Sequence, residues 1–520
     1  MTGEQTWCGR RSIGFISKDE HAKLIGAERD SARTPLPLQM VSSDEFLPSP
    51  RSAKQEEVGR RLAGMADDIG AGLGLSRRRF FQTAAGMAAA FVAMNETYGG
   101  ELFAATPDEA RSPEDARAKA DLLSTQFVID VHTHFVRDDY LSGMAVGTPF
   151  PWRKAIKELA WNPEVTDTTV EGAKFANYHK EIYLDSDTKV ALISSIPGIG
   201  TALMPLTNQQ MAEARDTVNR QADSRRMLSH GLFAPGAPGW SDDLDAAIAL
   251  KPDSWKGYTI GSLGLDEQHR PTRLYPWRMD GADAYRAYEK MAKSGITTVC
   301  VHKGLFPPSL ERQLPQLRGF ADVADVGQAA KDWPHLNFIV YHAGYRHTDD
   351  PSGALSDPEV ALHEFERTGR LSWVSDLADI PAQYGVNNVY ADLGQVFALT
   401  MIAQPRVCAA MMGILVRGLG ASRVCWGTDA VWTGSPQWQI EGLRRLEIPE
   451  DMRRRHRFAP LGSATGPVKR AIFTENSARL YGLDESVRGT VLNDKLALAK
   501  ADYERSGRTP SNLQYGYVAP

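Results

Sequence analysis

The chain of 520 residues is poor in cysteine: Cys8, Cys300, Cys408 and Cys425 are its only four, and no two form a Cys-x-x-Cys pair. A disulfide framework and the common dithiol redox motif are thereby excluded. Excess charge is also missing, because 59 Lys and Arg stand against 64 Asp and Glu for a net of −5. Nothing in that balance draws the chain to a phosphate backbone or a membrane surface, so nucleic-acid binding is not its main task. The uncharged run Thr83 to Met94 is too short to cross a bilayer roughly 30 Å thick. A Gly-x-Gly-x-x-Gly turn after the first predicted strand is lacking too, which removes the usual sign of a dinucleotide site. What the chain does have is 42% apolar residues, enough for a large core.

Residues 1–75 hold Pro35, Pro37, Pro48 and Pro50 among Ser, Arg and Glu without a sustained apolar period, and read as a disordered, flexible extension or a mis-assigned start. The segment 76–106 opens with Ser76-Arg77-Arg78-Arg79-Phe80-Phe81-Gln82 and continues into the uncharged run, an order that resembles a twin-arginine export signal. Translation from Met65 would bring that motif close to an N-terminus. This reading places the protein in the periplasm, with the export machinery as a partner. The alternative is an ordinary Ala-rich helix behind a basic patch, in a cytoplasmic protein.

Residues 107–483 form the predicted main domain, and from residue 126 onward β-rich runs alternate with helical stretches. The predicted strands are Phe127 to His134, Lys189 to Ser194, His230 to Pro235, Trp255 to Ile260, Thr297 to His302, Asn337 to His342, Asn388 to Leu393 and Arg423 to Thr428. Helices are predicted over stretches such as Asn208 to Leu228, Ala282 to Ser294, Val360 to Trp373 and Gln404 to Leu419. Strict alternation implies a parallel sheet, and eight repeats imply an α/β fold closed as a (β/α)8 TIM barrel, with an open doubly wound sheet as the competitor. Long connections at Phe135 to Trp152, Gly261 to Gly281 and Lys303 to Gly319 fall on the C-terminal rim, where barrel enzymes keep their active sites. The tail 484–520 is an arm over either the barrel or a partner.

His132 and His134 are two apart at the end of the first strand, so both imidazoles leave the same side of it. His302, His342 and Asp429 also close predicted strands, and a parallel barrel brings all five ends to one rim. Five buried polar groups at matching positions are costly without a shared partner. Imidazoles and a carboxylate favour zinc, with manganese, iron or cobalt also compatible. The other histidines read as structural or exposed, with His179 and His347 closest to the rim.

At these residues the chain resembles the amidohydrolase superfamily, in the amidohydrolase-related branch that includes aminocarboxymuconate semialdehyde decarboxylase. The likeness spans Phe127 to Leu483 and is carried by Ile129-Asp130-Val131-His132-Thr133-His134, Trp255-Lys256-Gly257-Tyr258, Val301-His302, Tyr341-His342-Ala343-Gly344, Trp426-Gly427-Thr428-Asp429 and Glu475-Asn476-Ser477-Ala478-Arg479-Leu480-Tyr481-Gly482-Leu483. The resemblance implies His132, His134, His302 and Asp429 as metal ligands, with His342 beside the ion. It implies a metal-dependent enzyme in which Asp429 takes a proton from an activated water and His342 steadies the oxyanion or the water. The reaction is hydrolysis of a small amide, ester or lactone, or non-oxidative decarboxylation of a small unsaturated or aromatic acid. A non-catalytic exported metal-binding protein is a third reading.

In some members a carboxylated lysine bridges two metals, and Lys256 stands where that lysine would. Its other reading is an ion pair or a substrate contact at a mononuclear site. Rim aromatics and guanidinium groups in Phe150-Pro151-Trp152-Arg153, Tyr275-Pro276-Trp277-Arg278 and Trp432 suit a flat ligand with a carboxylate, and Arg278 is the first candidate to hold that carboxylate. Homo-oligomers are also implied by the resemblance.

Overall fold

The structure is a computed structural model, described over residues 34–39, 41–42, 51–140, 171–199, 204–261, 263–264, 274–306, 311–312, 314–348, 357–507 and 517–518. Its centre is one parallel sheet of eight strands: β1 (Val128–Thr133), β2 (Thr188–Ile193), β3 (Met227–Leu232), β4 (Ser254–Tyr258), β5 (Thr298–His302), β6 (Asn337–Tyr341), β7 (Val389–Asp392) and β8 (Val424–Cys425). Each pairs with the next in chain order. The segment after β8 then runs back along β1. The Val131 amide donates to the Trp426 carbonyl at 3.0 Å, the Asp429 amide donates to the His132 carbonyl at 2.8 Å, and Thr133 bridges Ala430 in parallel. Those bonds close the sheet into the expected barrel. Near-continuous apolar strands suit it, because helices cover the outer face and side chains fill the inner one.

The third strand begins three residues earlier than the sequence reading placed it. The helix Asn208–Ala222 stops at Asp223, whose φ of 61° is left-handed, rather than running on to Leu228. Asn219 then accepts the Arg226 and Met227 amides on its side-chain oxygen and donates to the Met227 carbonyl, which turns the chain straight into β3.

The N-terminal segment departs further from expectation. Ala53–Gly72 is a helix, α1, started by a capping box in which Ser52 accepts from the Gln55 amide and Gln55 accepts from the Ser52 amide. Val58, Leu62 and Ala66 recur every four residues and are buried, so disorder is not the state of this stretch. Met65, the alternative start, lies inside α1.

After α2 (Arg77–Phe81) comes α3 (Ala84–Tyr98), the uncharged run of the export-signal resemblance. Residues Ala85 to Met94 of α3 are all buried, and a helix apolar on every side belongs inside a protein or a membrane. Here it lies in the main core. The Tyr98 hydroxyl donates to the Ala403 carbonyl at 3.2 Å.

Two further helices, α4 (Pro107–Arg111) and α5 (Pro113–Ser124), lead to the barrel. Between α3 and α4 the chain is stitched to the end of α6 (Gln437–Arg445): the Ala104 amide donates to the Arg445 carbonyl at 2.7 Å and the Glu447 amide to the Leu102 carbonyl at 2.8 Å. Arg445 also forks onto Glu109 at 2.6 and 3.1 Å. No helix among the described residues is long and apolar enough to cross a membrane.

The tail lies over the barrel. Asp494, between α7 (Glu485–Leu492) and α8 (Lys495–Arg505), pairs with buried Arg226, and the Tyr503 hydroxyl donates to Asp185 at 2.6 Å. Tyr517–Val518 pairs antiparallel with Val41–Ser42.

A chain beginning at Thr106 uncovers the apolar surface that α1 and α3 bury. We expect it to aggregate, or to melt at least ~10 °C below the full chain in a thermal unfolding comparison. Equal melting of the two chains would show that the N-terminal helices are dispensable.

Candidate metal centre

β1 delivers His132 and His134 to one side of the strand, and the segment after β8 delivers Asp429 between them. One oxygen, Asp429 Oδ1, lies 3.3 Å from His132 Nε2 and 3.2 Å from His134 Nε2. Ligand atoms of the three buried residues lie within 4.8 Å of one another, and they form the one such group found among the described residues.

The other face of His132 sets its tautomer. Asp392, which ends β7, holds its Oδ2 2.9 Å from His132 Nδ1, so Nδ1–H donates to the carboxylate and Nε2 carries the lone pair. His132 Nε2 is buried without a hydrogen-bond partner. An imidazole lone pair facing a carboxylate oxygen at this distance repels it unless a cation or proton lies between them. The donor set therefore fits a divalent cation, with two imidazoles and one carboxylate as ligands.

Electrostatics points the same way. Burial first, then the Lys256 ammonium, holds His132 well below the usual histidine range, so it is neutral and able to ligate. Burial does the same to His342, helped by His302 and Lys256. Burial pushes the Asp392 carboxyl well above its ordinary range while Lys256 pulls it back. A cation at the cluster acts in the same sense as Lys256.

Asp130 fastens the two segments that carry the ligands. Its Oδ1 accepts from the His132 and Thr428 amides at 3.1 Å each, and its Oδ2 accepts from the Thr428 hydroxyl. Two glycines leave room for Asp392. A Cβ on Gly427 would lie 2.0 Å from Asp392 Oδ1, and one on Gly394, at φ +46°, would lie 2.6 Å from His342 Nδ1 and 2.9 Å from Asp392 Oδ2. Asp429 and His342 themselves sit at φ 62° and 57°, strained values for non-glycine residues.

His302 closes β5 outside the three-donor group. Its ring is 4.7 Å from that of His342, which is 4.9 Å from that of His132, and it stacks on Tyr258 at 4.3 Å. Trp432 lies against His134 at 5.8 Å, on the rim wall. Lys256 is buried, with Nζ 3.4 Å from the centre of the Tyr341 ring, and that ring is 4.0 Å from His132. Tyr341 is tied in turn to the Val131 carbonyl and to His230, each at 2.8 Å.

Arg278 is not brought to the cluster. Its guanidinium forks onto Asp280 at 2.8 and 2.9 Å and donates to the Gly319 carbonyl, so its charge is already met. Phe150 to Arg153 lie outside the described residues. His179 and His347 are both buried, and burial alone pushes His179 down to about 3. Asp392 was not singled out in the sequence, although a carboxylate ending the apolar run Val389-Tyr390-Ala391 repeats the pattern of the other strand ends.

Asp392→Asn keeps the shape but weakens the hold on the His132 tautomer. Metal affinity should fall ~10–100-fold in a competition titration with a chelator. Gly427→Ala should do at least as much damage by displacing Asp392. Unchanged affinity in both variants would remove Asp392 from the site.

The sequence pattern of the amidohydrolase family matches residues 129–483. No curated relative matches the chain. Solved structures that resemble it include 5-carboxyvanillate decarboxylase from Sphingomonas paucimobilis (13% identity, TM-score 0.37, 69% of this chain and 99% of that one). An amidohydrolase from Burkholderia multivorans (15%, 0.39, 69% and 100%) and 2,6-dihydroxybenzoate decarboxylase from Rhizobium (14%, 0.36, 69% and 100%) are also similar. With the family's pattern running from β1 to the segment just before α7, this chain belongs to the amidohydrolase family.

Proposed function

We propose that the chain is a metal-dependent hydrolase of small amides, esters or lactones, with zinc as the ion. The observation that carries this reading is the convergence of His132 Nε2, His134 Nε2 and Asp429 Oδ1 at the rim of the barrel. A divalent cation held by His132, His134 and Asp429, with His302 as a further ligand, supplies Lewis acidity to a carbonyl or to water. The protein's own groups do the rest. The Asp429 carboxylate accepts a proton from the attacking water and passes it to the leaving group, a transfer within reach because the residue stands at the reacting centre. His342 donates a hydrogen bond to the developing oxyanion. Trp432 and Tyr258, against His134 and His302, form apolar walls that exclude water and orient a flat substrate.

Decarboxylation uses the same residues differently, with the water giving a proton, through His342, to the carbon that carbon dioxide leaves. Lys256 supports one ion rather than two, because its ammonium is engaged over the Tyr341 ring. Export of the folded chain rests on the Ser76 to Met94 resemblance. Burial of α3 supports the alternative, in which this segment stays in the core of the mature protein.

The test is metal quantification of the purified full chain, followed by turnover on an ester, amide, lactone and carboxylic-acid library. We expect about one equivalent of metal per chain, unchanged in stoichiometry by Lys256→Ala. His132→Ala should lose the metal, and Asp429→Ala should lower kcat/KM by at least ~100-fold. Release of carbon dioxide would replace hydrolysis by decarboxylation. Metal retained without turnover of any library member would contradict an enzyme of either kind.

A further inference from the structure

The barrel's opposite end, where β2 starts at Thr188 and Arg226 precedes β3, carries a cavity of about 170 Å³ under the C-terminal helix α8. Three cationic side chains line it: Lys189, Arg226 and Lys500. Arg226 is neutralised by its fork on Asp494 at 2.6 and 2.8 Å, with its remaining donors on the Lys189 and Val491 carbonyls.

Lys189 is different. Its ammonium donates to the Ser124 carbonyl at 3.0 Å, and no carboxylate among the described residues comes within 4.0 Å of it. The nearby acid Asp187 is taken by Arg444 at 2.6 Å and by Gln437 at 3.1 Å. Lys500 donates to the Ser186 carbonyl, and Glu504 stands exposed at the cavity's edge. Burial, with Lys500 beside it, pushes the Lys189 ammonium down to about 8. Asp187 offsets part of that cost, but it is shared with Arg444, so a further anion in the cavity would favour the charged form of Lys189.

We propose that this cavity is a binding site for a small oxyanion of the phosphate or sulfate class, held by Lys189 and Lys500. The site lies at the far end of the barrel from the candidate metal centre and does not depend on the reaction assigned there. The ion would cross-link α5, the start of β2 and α8, so its occupancy stabilises the docking of the tail. A free ion and the head of a phosphate monoester present the same chemistry.

The test is thermal unfolding of the full chain in a zwitterionic buffer with inorganic phosphate, sulfate or glycerol phosphate, against potassium chloride at matched ionic strength. We expect a saturable rise in midpoint of roughly 2 °C or more with phosphate and sulfate but not with chloride. The rise should persist in His132→Ala, which removes binding at the metal centre, and in Lys189→Arg. It should be lost in Lys189→Met and reduced in Lys500→Met. A stronger effect of glycerol phosphate would identify the monoester as the ligand, and a stronger effect of phosphate the free ion. No rise, an equal rise with chloride, loss in His132→Ala, or an unchanged rise in both methionine variants would overturn the proposal. If Lys189→Met does not fold, Lys500→Met and Lys189→Arg decide between the same outcomes.

Discussion

The lone pair of His132 Nε2 faces the Asp429 carboxylate oxygen across 3.3 Å, with His134 Nε2 3.2 Å from the same oxygen, all on buried residues. Left alone, that arrangement is repulsive, and burial makes the repulsion larger because little solvent screens it. A cation converts the same geometry into a binding site. Much of the surrounding structure serves to keep these three atoms together. Asp392 fixes which nitrogen of His132 points at Asp429, and Asp130 ties the backbone of β1 to the Thr428 segment. Gly394 and Gly427 leave the volume that Asp392 occupies.

Holding this site has a conformational cost. His342 and Asp429 both lie in left-handed backbone, worth on the order of 1–3 kcal/mol each for residues with a Cβ. His342 stands immediately beyond the end of β6 and Asp429 four residues beyond the end of β8, where the chain turns over the rim. The stability that offsets such strain comes from the barrel and from the helical layer in front of it. α3 contributes an all-apolar helix to the main core, and the charged chain Glu109, Arg445, Glu441, Arg444 and Asp187 locks that layer to α6 and the start of β2. Burial opposes ionisation of Asp187, but Arg444, Lys500 and Lys189 overcome it and hold its carboxyl well below the usual range.

The barrel was legible because strand and helix periods differ and repeat eight times. His132 and His134 were legible because a spacing of two on a strand has one geometric meaning. Asp392 was not, since its role depends on which neighbour β7 presents it to, and a lone carboxylate says nothing of that. Arg278 has a local partner. Its guanidinium forks onto Asp280, only two residues away. The export-signal resemblance shows the limit of composition: uncharged, Ala-rich and apolar describes a membrane-directed segment and a fully buried helix equally well. Here the run is a helix packed against α1, α2, α4 and α5.

The most direct measurement is anomalous diffraction at a metal absorption edge from crystals of the chain as purified. We predict one strong peak at ~2.0–2.2 Å from His132 Nε2, His134 Nε2 and an Asp429 carboxylate oxygen. A map with no peak among those three side chains, from protein that carries metal in solution, would contradict the account.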